Sequence, residues 1–145
     1  MTYYEKIILE FDGASRHNPH GPAGCGFILY EMDSHGAKSD MIDDGNDYLG
    51  YNISNNQAEY QGLINGLKCI ADYYSCDRLY IRGDSEIVIN QINQDYAVRS
   101  PNIIPYYNEA VDELDGLEIE FYRAQHIPRN KNWEADELAN RAIDE

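Results

Sequence analysis

The sequence predicts an α/β fold, a mixed sheet with helices on its faces. Three observations carry this. The chain opens with two short apolar runs around a Gly- and Pro-rich turn, which reads as an antiparallel hairpin. From residue 55 onward, helical and strand patterns alternate, which places strands and helices in layers. And 145 residues with 43% hydrophobic side chains suit one compact domain, residues 1–145, able to bury a core without disulfide or metal.

The elements follow in order. Residues 6–11 (KIILEF) form an apolar run ending at Asp12-Gly13, a buried strand. Residues 14–22 read as a turn, and residues 24–30 as the second strand. A third strand is expected near residues 38–42, followed by an exposed turn at Asp43-Asp44-Gly45-Asn46. Residues 55–74 give the best helix. Tyr60, Leu63, Ile64, Leu67, Ile70, Ala71 and Tyr74 fall at spacings of three and four and make one apolar stripe. Residues 78–82 read as a strand, and residues 85–93 as a short helix started by Asp84 or Ser85. Pro101 and Pro105 break the next stretch. Residues 106–114 form another helix, ended by Asp115-Gly116. Leu117, Ile119 and Phe121 alternate with Glu118, Glu120 and Tyr122, a half-buried fifth strand. Residues 126–131 read as a loop. Asn132 can cap a last helix in which Ala135, Leu138, Ala139 and Ala142 share a face.

Charge and cysteine usage exclude several classes. Lys plus Arg number 11 against 26 Asp plus Glu, a formal charge of −15. That argues against a protein that coats nucleic acid through bulk positive charge. Strong acidity is also a route to solubility at high salt, but the abundance of isoleucine, asparagine and tyrosine exceeds what solvation calls for. No apolar run approaches a membrane span, and no signal-type stretch follows the N-terminus. No membrane association is expected. Cys25, Cys69 and Cys76 are odd in number and lack C-x-x-C spacing, which reads as reduced thiols in a cytoplasmic or other reducing intracellular compartment.

Four acidic residues stand apart. Asp12 closes an apolar strand, and Glu59 sits in the first turn of the long helix. Asp84 lies at a strand-to-helix junction, and Asp136 near the start of the last helix. Strand ends and helix starts in such a sheet gather along one crevice, where ligands bind. Four carboxylates there repel one another unless cations lie between them. Hard oxygen ligands suit Mg²⁺ or Mn²⁺. Singly, each acid has a plain structural role open to it: a turn for Asp12, a cap for Asp84, and charges near helix N-termini for Glu59 and Asp136.

Their local sequences together resemble the type 1 ribonuclease H (ribonuclease HI) family. Asp12-Gly13-Ala14-Ser15, Asn18-Pro19 and Gly21-Pro22-Ala23-Gly24 resemble its opening. Asn55-Asn56-Gln57-Ala58-Glu59-Tyr60 resembles its first helix start. Gly83-Asp84-Ser85-Glu86 with Val88-Ile89-Asn90-Gln91-Ile92 resembles its fourth strand and second helix. His126-Ile127-Pro128-Arg129-Asn130-Lys131-Asn132 with Ala135-Asp136-Glu137-Leu138-Ala139-Asn140 resembles its closing loop and helix.

The resemblance implies a ribonuclease H-like fold, with a five-stranded mixed sheet flanked by helices. It implies a metal-dependent endonuclease that hydrolyses the RNA strand of RNA–DNA hybrids, leaving 5′-phosphate and 3′-hydroxyl ends. Asp12, Glu59, Asp84 and Asp136 match the family's metal-binding carboxylates, and His126 its mobile histidine. Two Mg²⁺ ions are expected, with Mn²⁺ able to substitute. Asp12 is expected to bridge them, with Asp84 and Asp136 on the side of the attacking water and Glu59 on the leaving-group side. Asn18, Asn55 and Asn56 match positions that touch the hybrid's minor groove, where amides can hold a 2′-hydroxyl. Ser15 and Glu86 complete the expected substrate contacts. The protein is expected to be a monomer.

Departures from the family pattern are also visible. His17 stands where many relatives have glycine, and the turn at His20-Gly21-Pro22 is one residue longer. Glu86 stands where several relatives have a glutamine, and an ionised carboxylate there adds repulsion to phosphate. The basic protrusion some relatives carry after the second helix is absent, since residues 93–102 hold only Arg99 as a cation. The cations left to meet phosphate are Arg16, Arg99, Arg123, Arg129, Lys131 and Arg141. Other duplex substrates served by related folds, such as double-stranded RNA or DNA junctions, and an inactive nucleic-acid-binding module are the alternative readings.

Overall fold

Alternation along the first strand sets up the layers. In the computed structural model, which describes residues Met1–Glu145, Ile7, Leu9 and Phe11 face one side of a sheet and Ile8 and Glu10 the other. The element order is β1 (Thr2–Ser15), β2 (Pro22–Met32), β3 (Lys38–Tyr51), α1 (Asn55–Tyr73), β4 (Tyr74–Gly83), α2 (Glu86–Ile92), α3 (Ile104–Gly116), β5 (Phe121–His126) and α4 (Trp133–Asp144), with a 3₁₀ turn at Arg129–Lys131. One five-stranded sheet runs β3-β2-β1-β4-β5. Its β3-β2-β1 half is antiparallel and its β1-β4-β5 half parallel. The parallel half requires crossovers, which α1, α2 and α3 supply.

The α1 stripe is the centre of the larger core. Tyr60, Leu63, Ile64, Leu67 and Ile70 are all buried there against Ile7, Leu9, Phe11, Leu79 and Ile81, with Val88, Ile89 and Ile92 from α2 and Ala110 and Leu114 from α3. The helix α4 packs on the opposite side over β2, β1 and β3, where Leu138 meets Ile8, Ile28 and Tyr30.

Several boundaries differ from the sequence expectation. The turn expected at Asp43-Asp44-Gly45-Asn46 lies inside β3, paired with residues 26–29 of β2. Pairing overrides turn composition because Gly45 opposes Phe27. A Cβ on Gly45 would lie 2.6 Å from the Phe27 ring. Asp43 is drawn in as well, accepting from Tyr74 Oη at 3.0 Å. Charged residues along such an edge strand also discourage pairing with another chain.

The fifth strand is Phe121–His126, not residues 117–122. Leu117 and Ile119 alternate because they pack on the core as a connecting segment, while the ladder with β4 begins only at Arg78 opposite Phe121. His126 is therefore the last strand residue rather than a loop residue. Ala14, Ser15 and Pro22 belong to strands, so the first turn is shorter than expected. Pro105 sits in the first turn of α3, where its missing N–H costs nothing, so it opens a helix rather than breaking one. Asn132 stands at the N-cap position of α4 but makes no capping hydrogen bond, because its side chain is used elsewhere.

The β1 and α1 backbones touch at Gly13. A Cβ there would lie 2.3 Å from the Ala58 carbonyl carbon and the Glu59 nitrogen. Nothing at that contact is a flexible side-chain end. Gly13→Ala should therefore push α1 off the strand and destabilise the protein by about 3 kcal/mol, at the high end for overpacking. Urea unfolding of the two proteins measures this directly, and equal midpoints would show that the contact is not tight.

Candidate active site

The strand–helix junctions at one end of the sheet enclose an open cavity of about 500 Å³. Asp12, Gly13, Ala14, Ser15, Arg16, Asn55, Glu59, Asp84, Ser85, Arg129, Asp136 and Asn140 line it. Only one of these twelve is hydrophobic, so the cavity suits hydrated ions and phosphate rather than an apolar ligand.

Each acid arrives by a different element. Asp12 lies in β1 opposite Gly26, and the strand continues past it to Ser15 rather than closing there. Glu59 is in the second turn of α1, not the first, because the helix begins at Asn55. Asp84 follows β4 directly. Ser85 caps α2, accepting from Val88 N at 3.3 Å, and this leaves the Asp84 carboxylate free to face the cavity. Asp136 lies in the first turn of α4.

Asp12, Glu59 and Asp84 each present an oxygen within 4.8 Å of the other two. Asp136 stands just outside this group on the same wall, with Asn140 Nδ2 donating to its Oδ1 at 3.3 Å. Burial pushes the Asp12 carboxyl up to about 7. Burial also raises Glu59 well above the ordinary carboxylate range, and the neighbouring Asp12 charge raises it further. Without a cation both carboxyls of the pair hold protons more tightly than free ones do. Asp84 is raised by burial too, against the opposing pull of Asn132 and Arg129.

Glu59 Oε2 is buried with no hydrogen-bond partner. An unpaired carboxylate oxygen in such a place calls for a ligand. The donor set is all oxygen and carries several negative charges, which fits a hard divalent cation. Asp12, Glu59 and Asp84 can hold one directly, and Asp136 can share in it from the rim.

The expected substrate contacts divide into two groups. Ser15, Asn18 and Asn55 form one network. Asn55 Oδ1 accepts from Ser15 N at 2.9 Å, Asn18 Oδ1 accepts from Asn55 N at 3.0 Å, and Ser15 Oγ donates to Ile53 O at 2.6 Å. Both amide oxygens are thus spent on backbone N–H groups, leaving the Nδ2 donors free. Neither Asn55 nor Asn56 caps α1. Ser54 does, in a capping box with Gln57. Asn56 is half-buried, and Glu86 is exposed at the start of α2. Neither lines the cavity, and neither does His126. The His126 ring lies at the cavity's rim, with Nε2 3.2 Å from the Asp84 carbonyl oxygen.

Sequence reasoning missed the roles of Asn132 and Asn140. Asn132 is fully buried and donates to Phe11 O at 2.9 Å, which ties the start of α4 to β1 beside Asp12. Asn140 joins Asp136 to Arg16, whose Nη2 donates to it at 3.4 Å. The available signal was its position four residues after Asp136 on one helix face.

A protein-family model described as reverse transcriptase-like matches residues 10–142. Ribonuclease H of Coxiella burnetii is 31% identical over 96% of this chain and 90% of its own length. The chain belongs to the ribonuclease H family. Ribonuclease HI of Halobacterium salinarum is 37% identical over 97% of this chain. The solved RNase H1 of that archaeon superposes with a TM-score of 0.84 at 36% identity, covering 96% of this chain and 98% of the other. LC11-RNase H1, solved in complex with an RNA/DNA hybrid, gives a TM-score of 0.80 at 32% identity over 95% of this chain and 96% of that one. The chain spans 65% of the length of the Halobacterium ribonuclease HI and 36% of a bifunctional Mycobacterium tuberculosis relative. Residues 93–103 pass from α2 to α3 with Arg99 as their only cation.

The raised carboxyls set a pH dependence. In the metal-free protein Asp12 keeps its proton up to about pH 7, while its ordinary value is 3.8. Between these values the folded state binds more protons than the unfolded state, so this site's contribution to stability falls as pH rises through that window. Asp12→Asn should flatten the fall. Saturating Mg²⁺ should raise the melting temperature of the parent by about 5–10 °C, and more at pH 8 than at pH 5. Melting curves in EDTA and in Mg²⁺ across pH test both. A Mg²⁺ shift that is equal at the two pH values would contradict the reading.

Proposed function

We propose that this chain is an endoribonuclease that hydrolyses the RNA strand of RNA–DNA hybrids with two divalent metal ions, leaving 5′-phosphate and 3′-hydroxyl ends. The observation that carries the reading is the convergence of Asp12, Glu59 and Asp84 within 4.8 Å around an unpartnered buried oxygen, with Asp136 on the same wall. Bound there, Mg²⁺, or Mn²⁺ in its place, would supply an acidified water and charge stabilisation for in-line displacement at phosphorus. The likeness to a ribonuclease H solved with a hybrid supports the substrate.

The chain's own residues do the rest. Asp12 would hold the cations from the sheet, with Asp84 and Asp136 serving the attacking-water side and Glu59 the leaving-group side. The free Nδ2 groups of Asn18 and Asn55 can donate to a 2′-hydroxyl, the group that separates RNA from DNA. Arg129 on the cavity wall can meet a flanking phosphate, and Arg16 can do so in exchange for its surface pair with Asp144. His126, exposed and anchored only by the Asp84 carbonyl, is free to swing and hold or pass a proton at the product phosphate. Ser15 backs Asn55. Asn56 and Glu86 stand outside the cavity lining, and an ionised Glu86 would oppose phosphate rather than grip it.

Residues 1–145 act as one domain and as a monomer. The three free thiols suit a cytoplasmic or other reducing compartment. No helix is long and apolar enough to cross a membrane.

The test is a panel of labelled RNA–DNA hybrid, double-stranded RNA and double-stranded DNA, in Mg²⁺ and in Mn²⁺ at low salt. Only the RNA strand of the hybrid should be cut. Asp84→Asn should lose about a thousandfold in rate or more, the scale for removing a preorganised charge at a reacting centre. Cleavage of another duplex in preference to the hybrid, or full activity in Asp84→Asn, would overturn the assignment.

A further inference from the structure

The second side of the sheet is covered unevenly. Helix α4 lies over β2, β1 and β3 and leaves β4 and β5 open. The register fixes what the open part displays. Lys6, Arg78 and Phe121 form one cross-strand row. Ile8, Tyr80 and Arg123 form the next, and Glu10, Arg82 and Gln125 the third. That these rows face α4's side is set by Tyr80, which packs on the same cluster of Ile8, Ile28, Tyr30 and Met32 as Leu138 of α4, while Leu79, Ile81 and Ala124 between them point into the main core.

This face is anomalous in so acidic a chain. Only 11 side chains are Lys or Arg, against 26 acids. Arg16, Lys38, Lys68 and Arg141 are ion-paired. The remainder without an ion pair is Lys6, Arg78, Arg82, Arg99, Arg123, Arg129 and Lys131, and four of these seven share the open face, where Arg82 Nε donates to Gln125 Oε1 at 3.0 Å and keeps its two terminal nitrogens free. Two of the acids beside it are engaged already, while Glu5 and Glu120, next to Lys6 and Phe121 in sequence, are not. Glu10 is bound by Lys38 at 3.1 Å, and Asp77 accepts from Tyr3 Oη at 2.6 Å. Two aromatic rings sit among the cations, Tyr80 and Phe121, with centroids 6.0 Å apart and planes tilted by 58°. Phe121 is 44% exposed.

We propose that the outer face of β1, β4 and β5 binds single-stranded nucleic acid. Unpaired guanidinium groups meet phosphates bidentately, and aromatic faces stack bases without regard to sequence. Three of the four cations are arginines, the better partner for a phosphate chain that also presents flat bases. The face is also continuous with the cavity. Asp84 follows β4 directly, and His126 ends β5. A strand leaving the cavity beside these residues can run down the face past Arg82 and Tyr80 to Arg78. The proposal rests on the hybrid-cleaving reading only for this route, since an overhang of the hybrid is then the natural occupant. Binding itself needs no catalysis.

The experiment follows the fluorescence anisotropy of a labelled oligodeoxythymidine with the whole chain in EDTA, over a salt series. Arg78→Gln/Phe121→Ser should weaken binding about tenfold or more, since one stacked base alone is worth on that order. It should also flatten the slope of log affinity against log salt by about 0.7, the share of one phosphate contact. Arg78→Lys should keep the slope. Both positions are exposed, and an unchanged melting temperature confirms that the variants fold. Unchanged affinity and slope in the double variant would overturn the proposal. So would a poly-glutamate peptide that binds as tightly and loses affinity in the same variant, since the face would then serve an acidic polypeptide. Because metal is absent, the measurement stands apart from cleavage. Loss of hybrid cleavage with variant-sensitive binding intact would count against the enzymatic reading alone.

Discussion

The cost of packing like charges in a dry place governs this molecule. Asp12, Glu59 and Asp84 bring carboxyl oxygens within 4.8 Å of one another, and two of the three residues are buried. Left to themselves such groups separate or take up protons. The surrounding structure prevents separation. Gly13 lets α1 sit directly on β1, which fixes Glu59 over Asp12. Asn132 ties the start of α4 to the Phe11 carbonyl, which fixes Asp136 on the other side. With movement blocked, the remaining outcomes are protonation or a bound cation. The raised Asp12 and Glu59 carboxyls represent the first state, and the orphaned Glu59 oxygen invites the second.

A second buried acid on the same strand gives the internal comparison. Glu10 lies two residues before Asp12 on the same side of β1, and its side chain is only 2% exposed. Here the protein supplies its own cation. Lys38 Nζ approaches Glu10 at 3.1 Å and Glu134 at 3.6 Å, and it also stands 4.6 Å from the centre of the Tyr30 ring. The acid is neutralised from within, by the arrangement that makes a buried ion tolerable. No lysine or arginine plays that part for Glu59. Burial alone therefore does not mark a functional acid. Burial without an internal counter-charge does, and it separates Asp12 from Glu10 although both belong to one strand.

The same distinction explains what was legible in the sequence. Long periodic elements were readable because one face of each meets one core, as the α1 stripe from Tyr60 to Ile70 does. The four acids stood out because each borders an apolar pattern in the sequence, although Asp12 lies inside β1 and Glu59 in the second turn of α1. The turn expected at Asp43 to Asn46 failed because local composition cannot see Phe27 across the ladder, where only a glycine fits. The fifth strand slipped because Leu117 and Ile119 are half-buried as strand residues would be, while hydrogen bonding to β4 starts later. Asn132 was read as a cap because caps are local, whereas its real partner is the Phe11 carbonyl, 121 positions away. Glu10 was hidden inside an apolar run, and its partner Lys38 lies on another strand. Each miss is a long-range contact that no short window contains.

The amides around Ser15 carry this logic to recognition. Asn18 and Asn55 spend their side-chain oxygens on backbone N–H groups, so their orientation is settled before any substrate arrives. What remains outward is donor only. A donor on a rigid support discriminates well, because a partner lacking the matching acceptor leaves it unsatisfied and desolvated. The acids alone would bind cations and repel every polynucleotide equally. On the proposed function, fixed amides beside them, with Arg16 and Arg129 on the same wall, would turn that repulsion into selection. A strand that offers both a phosphate for the cations and a sugar hydroxyl for the amides would then recover the cost of entering so negative a groove.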